Sequence, residues 1–150
     1  MKTVINEMKL RLPAISINEG VARSAVSAFV AGLDPTVEEL GDLRLAVSEA
    51  VTNCIVHAYA DLPKGEIGYV YISVRLYDSR EITVEISDNG CGIKADKLIE
   101  LLRPFSTDKA DDETQIGEKG VGLKFAYFQS TFFSIRTGDS SGSAYVEIKD

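Results

Sequence analysis

Cysteine, histidine, long apolar runs and basic charge are all scarce in this sequence, and each scarcity closes off a class of protein. Cys54 and Cys91 are the two cysteines and stand far apart. They have neither the close spacing of a zinc site nor the density of a disulfide scaffold, so both are expected to be reduced, small and mostly buried. No apolar run approaches the ~20 residues needed to span a bilayer, and Met1 to Leu10 lacks the apolar stretch of a signal peptide. No membrane contact and a cytoplasmic location are therefore expected. Lys and Arg number 16 against 23 Asp and Glu, a formal net charge of -7. A phosphate backbone calls for a basic face, so direct nucleic-acid binding is not expected. There is no internal repeat and no low-complexity tract.

What is present is enough for one core: 150 residues, 45% of them hydrophobic, match the size of a single domain spanning 1–150. Met8, Leu10 and Leu12 alternate with Lys9 and Arg11, the period-2 signature of a strand with one apolar face. Ser16 followed by Glu19 has the spacing of a capping box, and Ala22, Ala25, Val26, Phe29 and Leu33 recur at helical intervals, predicting a first helix to about Leu33. A second helix starts at Asp34-Pro35-Thr36, with Asp34 and Thr36 both fit to be its N-cap. Its apolar stripe is Leu40, Leu43, Val47, Ala50, Cys54 and Ala58. It should end near Tyr59, before the Leu62-Pro63-Lys64-Gly65 breaker.

Val70, Ile72, Val74 and Leu76, then Asp78-Ser79, then Ile82, Val84 and Ile86 read as a hairpin. Beyond it the sequence predicts a glycine-rich turn at Asp88 to Gly92, a short helix near Ala95 to Leu102 and a polar stretch from Ser106 to Gln115. A helix from Val121 to Phe128 and strands near Phe132 to Thr137 and Ser143 to Lys149 complete the chain. With helices first and most strands later, the expected fold is α+β: a two-layer sandwich whose mixed, mainly antiparallel sheet is covered on one face by helices.

Three local patterns carry chemistry. Glu49, Asn53 and His57 fall at i, i+4 and i+8 and would share one helix face beside the apolar stripe. Asn53 offers a hard oxygen to Mg, and Glu49 can take a proton from an attacking hydroxyl or water. Polar helix faces are common, however, and a lone histidine at a helix end is more often structural. Asp88 continues the parity of Ile82, Val84 and Ile86, so its carboxylate points to the apolar side and needs a partner there. An adenine amino group would serve, and Asn89-Gly90-Cys91-Gly92 would let backbone come close to a base; an ordinary Asp-Asn-Gly turn would need no ligand. Gly117, Gly120 and Gly122, with Lys119 among them, precede a helix and form a candidate phosphate cradle.

In this order and spacing, Glu49-x-x-x-Asn53 resembles the N-box of the GHKL superfamily of gyrase, MutL, histidine kinases and anti-sigma kinases. Asp88-x-Gly90-x-Gly92 resembles its first glycine box and Gly117-x-x-Gly120-x-Gly122 its second. The resemblance implies the Bergerat fold with ATP and Mg as cofactors. It implies Glu49 as general base, Asn53 as Mg ligand and Asp88 as adenine-recognition residue. Gly90, Gly92, Thr107, Lys109, Gly117, Lys119, Gly120, Val121 and Gly122 would hold the nucleotide, Ser143 would support Asp88, and about 104–118 would form a lid.

The first ninety or so residues are similar, more narrowly, to the anti-sigma F kinase of sporulating bacteria. Asn6-Glu7-Met8, Asn18-Glu19 with Ala22-Arg23, Ala28 to Thr36, and Val47-Ser48-Glu49-Ala50-Val51-Thr52-Asn53 with Ile55-Val56-His57-Ala58-Tyr59 carry that likeness. It implies a homodimer, with the first strand as a candidate edge, that holds a sigma factor and phosphorylates a serine of a STAS-domain anti-anti-sigma protein. Arg23 would be a partner contact, able to make bidentate bonds to an acidic surface; as a sequence position alone it reads as a solvated charge. The second half departs from that branch. Ile116 to Leu123 is closer to conformational ATPases, and Glu118 stands where the sporulation kinases tend to carry arginine. Lys119 or Lys109 would then neutralise the γ-phosphate. An ATP-gated binding module and a free-standing ATPase are the competing expectations. A complete histidine kinase is not expected, since His57 is the only histidine and no phosphorylatable helix accompanies it.

Overall fold

The computed structural model describes residues 1–92, 132–139 and 142–149, the last two segments as backbone strands. These residues fall into two compact units, Met1–Gly90 and Cys91–Asp150. The first runs β1 (Val4–Pro13), α1 (Ile17–Ala31), α2 (Val37–Asn53), a π-helical turn (Cys54–Ala58), β2 (Tyr69–Tyr77) and β3 (Ile82–Asp88). In the second, β4 (Phe132–Asp139) and β5 (Gly142–Lys149) form an antiparallel pair in the two segments predicted to be strands. The short helices predicted near 95–102 and 121–128 and the polar stretch 106–115 lie outside the described residues.

The first unit is an antiparallel sheet in the order β1-β2-β3 with both helices on one face. Alternation decides which face. Met8↔Val74↔Val84, Leu10↔Ile72↔Ile86 and Leu12↔Val70 are cross-strand rows that meet Ala22, Val26 and Val30 of α1 and Val47, Val51 and Cys54 of the α2 end. Val26, Val74 and Val51 are at most 1% exposed, and each such side chain contributes roughly 1.5–3 kcal/mol by leaving water. The opposite parity carries charge: Arg75 on the central strand bonds Glu7 of β1 (2.9 Å) and reaches Glu85 of β3 (3.5 Å). Arg11 lies 3.8 Å over the Tyr69 ring. A sheet face built this way is solvated, and the helical layer is on the other side.

Two predicted helix starts resolve differently. Thr36 caps α2: its hydroxyl accepts from Glu39 N–H at 3.1 Å while the Glu39 carboxylate accepts from Thr36 N–H at 2.8 Å, a complete capping box. Asp34 is instead in a left-handed conformation, φ 57°. Ser16 precedes α1 but its side chain makes no cap bond, because its backbone is already helical (φ -54°, ψ -36°). The Glu19 carboxylate meant for that box is taken by Arg23, 3.0 Å away. The first helix ends at Ala31 rather than Leu33.

Candidate functional site

The second helix ends in a way that hydrophobic periodicity does not show. Through Asn53 it is α-helical, so Glu49 and Asn53 keep their one-turn spacing, and both are half-buried. From Cys54 to Ala58 the backbone widens into a π turn with i→i+5 bonding. His57, the third residue of the ridge expected from sequence, lies in this turn and is exposed. The buried stripe shifts as well: Val47, Val51, Cys54 and Ala58 face the core, with Val51 where Ala50 had been expected.

The end of β3 meets this helix end. Asp88 stands directly across from Val70, which is 1% exposed, so its carboxylate closes the row Ile82, Val84, Ile86 on the core side, where that row opens to solvent. There it accepts a hydrogen bond from Gly90 N–H at 2.9 Å and pairs with the thiol of Cys54. Burial first, then the Asp88 charge and hydrogen bond, push the Cys54 thiol up to about 12, so it stays a protonated donor. Cys54 was read from sequence only as a small core residue. Its neighbourhood to a carboxylate thirty-four positions away has no local signature. Cys91, expected to be buried, is exposed.

Glycine in the following turn has a structural reason. A Cβ on Gly90 would lie 2.0 Å from the Ala58 carbonyl oxygen and 2.6 Å from its Cβ, so only glycine allows the turn to seat on the helix end. The close approach at Gly90 is to Ala58. Gly92 has φ 74°, a left-handed conformation that suits glycine. Tyr59, directly after the π turn, bonds Asn89 of the same turn.

Arg23 is half-buried rather than solvated: its Nη1 donates to Glu19 and, at 3.3 Å, to the Ser48 hydroxyl of α2. Ser143 lies on β5, paired with Gly138 of β4. Thr107, Lys109, Gly117, Lys119, Gly120, Val121 and Gly122 lie outside the described residues. A groove of about 320 Å³ opens between Ile15, Ile55 and the loop from Leu62 to Gly68; neither Glu49, Asn53 nor Asp88 lines it, so it is not the candidate site.

Glu49 and Asn53 on the α2 end, and Asp88 at the end of β3, all fall within the part of the chain that matches a known family. Residues 39–140 fit the family described as histidine kinase-, DNA gyrase B-, and HSP90-like ATPase. The chain belongs to that ATPase family. Within it, the chain is 37% identical over 137 residues to the anti-sigma F factor of Caldanaerobacter subterraneus subsp. tengcongensis, covering 91% of this chain and 87% of that protein. It is 43% identical over 131 residues to the anti-sigma F factor of Priestia megaterium (87% and 82%). Against that of Shouchella clausii it is 47% identical over 108 residues (72% and 70%). The likeness to this branch thus extends past the first ninety residues.

Asp88 presents its carboxylate at the mouth of an apolar row. A carboxylate has about four acceptor sites, and the Gly90 and Cys54 donors leave capacity for an amino group. Among the described residues no group of three or more His, Cys, Asp and Glu could hold a metal unaided. The one amide oxygen of Asn53 suits Mg, which keeps waters and takes most of its other ligands from phosphates.

Proposed function

We propose that this protein is an anti-sigma factor that binds Mg-ATP and phosphorylates a serine of a STAS-domain anti-anti-sigma protein. What supports the reading is the meeting of Asp88 with the α2 end, where its carboxylate lies beside Cys54, the residue that follows Asn53. The anti-sigma role is drawn from relatives bearing that name over most of both chains.

In this reading Asp88 accepts from the adenine amino group, supported by Ser143, and Gly90 and Gly92 shape the turn whose backbone approaches the base. Asn53 supplies an oxygen to Mg, which when bound offsets phosphate charge. Glu49 takes the proton of the substrate serine as that oxygen attacks the γ-phosphorus and ADP leaves. Gly117, Lys119, Gly120, Val121 and Gly122, with Thr107 and Lys109 from the 104–118 segment, hold the phosphates. Arg23 contacts a partner, β1 provides an edge for a homodimer, and the protein works in the cytoplasm.

The deciding experiment incubates the protein with γ-labelled Mg-ATP and a STAS-domain protein from the same host, beside Glu49→Ala. Label on a STAS serine, lost in the variant, is the expected result. Nucleotide bound without transfer would favour the second reading, an ATP-gated binder, which Glu118 in the second glycine box motivates. In that case ATP and a non-hydrolysable analogue would have equal effects on sigma binding.

A further inference from the structure

Three chain segments meet at one oxygen atom, the hydroxyl of Tyr59. It accepts a hydrogen bond from Asn89 N–H at 3.1 Å, lies 2.6 Å from the Asn89 side-chain amide, and reaches the Tyr69 carbonyl at the start of β2. A phenol has a single proton. Given to the Tyr69 carbonyl, that proton leaves the Asn89 amide to present its NH2 to the phenol; given to Asn89, it meets the amide oxygen. Either arrangement ties the turn after β3 to the residue that ends the π turn.

The ring is held as tightly as the hydroxyl. A Cβ on Gly68 would lie 2.3 Å from the Tyr59 ring, so the ring fills the space that the missing side chain leaves. One residue earlier, the Ala58 carbonyl sits against Gly90. Residues 58 and 59 therefore fix residues 89 and 90 from two sides, by contact at Gly90 and by hydrogen bonds at Asn89. Asp88 is the next residue back, and its carboxylate is oriented by the Gly90 N–H of this same turn.

We infer that Tyr59 is a positioning residue for nucleobase selectivity: its hydroxyl holds the Asp88–Gly90 turn so that the Asp88 carboxylate meets a 6-amino purine and refuses a 6-oxo one. The inference rests on the proposed role of Asp88 in adenine recognition. A carboxylate accepts only, so a 6-amino group satisfies it and a 6-oxo group repels it. Hydrogen bonds weaken steeply with misalignment. A turn freed from Tyr59 lets the carboxylate swing, and discrimination between the bases falls while contacts to phosphate persist.

Tyr59→Phe removes the hydroxyl and keeps the ring against Gly68. Dissociation constants for Mg-ATP and Mg-ITP are measured on the full chain for wild type, Y59F and D88A, together with amide exchange at Asn89 in the nucleotide-free protein. Wild type should prefer ATP, D88A should lose the preference, and Y59F should lower it about 3- to 10-fold, the worth of one modest hydrogen bond. Exchange at Asn89 should speed up in Y59F. Asn89→Ala, which cuts the link from the turn's side, should lower the ATP preference as well and serves if Y59F fails to fold. An ATP-to-ITP ratio in Y59F equal to wild type, whatever its stability, would overturn the inference, as would unaltered exchange at Asn89. Wild type without preference, or D88A that keeps it, would overturn the Asp88 role and this inference with it; the exchange data would still report on the Tyr59 link.

Discussion

The Cys54 thiol lies beside the Asp88 carboxylate, one supplied by the first residue of the π turn and the other by the last residue of β3. The pair has a sign that can be measured. The thiol's ordinary value is 9.0, and in the folded chain it is pushed up to about 12. Between these limits the unfolded chain has lost a proton that the folded chain retains, so stability is complete below pH 9 and declines above it. The slope for one such group is on the order of 1.4 kcal/mol per pH unit. Urea unfolding at pH 8, 9 and 10 should show a shallower decline for Cys54→Ala than for wild type. Parallel curves would mean the thiol titrates normally.

Under the proposed function, Glu49→Ala should lower phosphoryl transfer to a STAS-domain substrate by about 10²–10⁴-fold, the usual share of a positioned general base, and leave ATP affinity little changed. Single-turnover transfer and a separate nucleotide titration measure the two quantities. Equal transfer by variant and wild type would remove Glu49 from the chemistry.

Gly90→Ala should destabilise the first unit by about 1–3 kcal/mol through overpacking, since the new methyl would sit 2.0 Å from the Ala58 carbonyl oxygen. Weakened ATP binding should accompany the fall in melting temperature, because the turn that carries Asp88 must move. An unchanged melting temperature would show that the turn is not seated on the helix end.

Thr36→Ala removes half of a closed capping box and should cost about 1 kcal/mol in chemical denaturation. Ser16→Ala, at the position with the same sequence spacing but no side-chain cap bond, should cost far less. Equal losses would contradict the difference between the two helix starts.

That last contrast shows where sequence patterns suffice. Alternation alone recovers the hairpin and the side on which Asp88 lies, because strand parity is a strict two-residue repeat. The Thr36–Glu39 box is equally local. The Ser16–Glu19 pair has the same letters and fails, since Arg23 competes for Glu19 one turn later. Three features of the site had no pattern to find: the π turn, the seating of Gly90 on Ala58 and the hydroxyl of Tyr59 on Asn89. Each depends on where two distant segments come to rest. The γ-phosphate side of the proposed site, from Thr107 to Gly122, is outside the described residues.

A π turn is an α-helix that has accepted one residue too many, and here the surplus falls between Asn53 and Tyr59. Helix counting before it and strand counting after it run in separate frames, joined by an offset. Shortening the turn by one residue, at exposed Val56 for example, would remove the surplus and restore regular α-helical bonding, with the residues on either side keeping their faces. A one-residue deletion at the helix end would thus be taken up within the turn, as one in the exposed stretch from Ala60 to Ile67 would be taken up by the connection, and the Asp88–Gly90 turn would keep its seat in both.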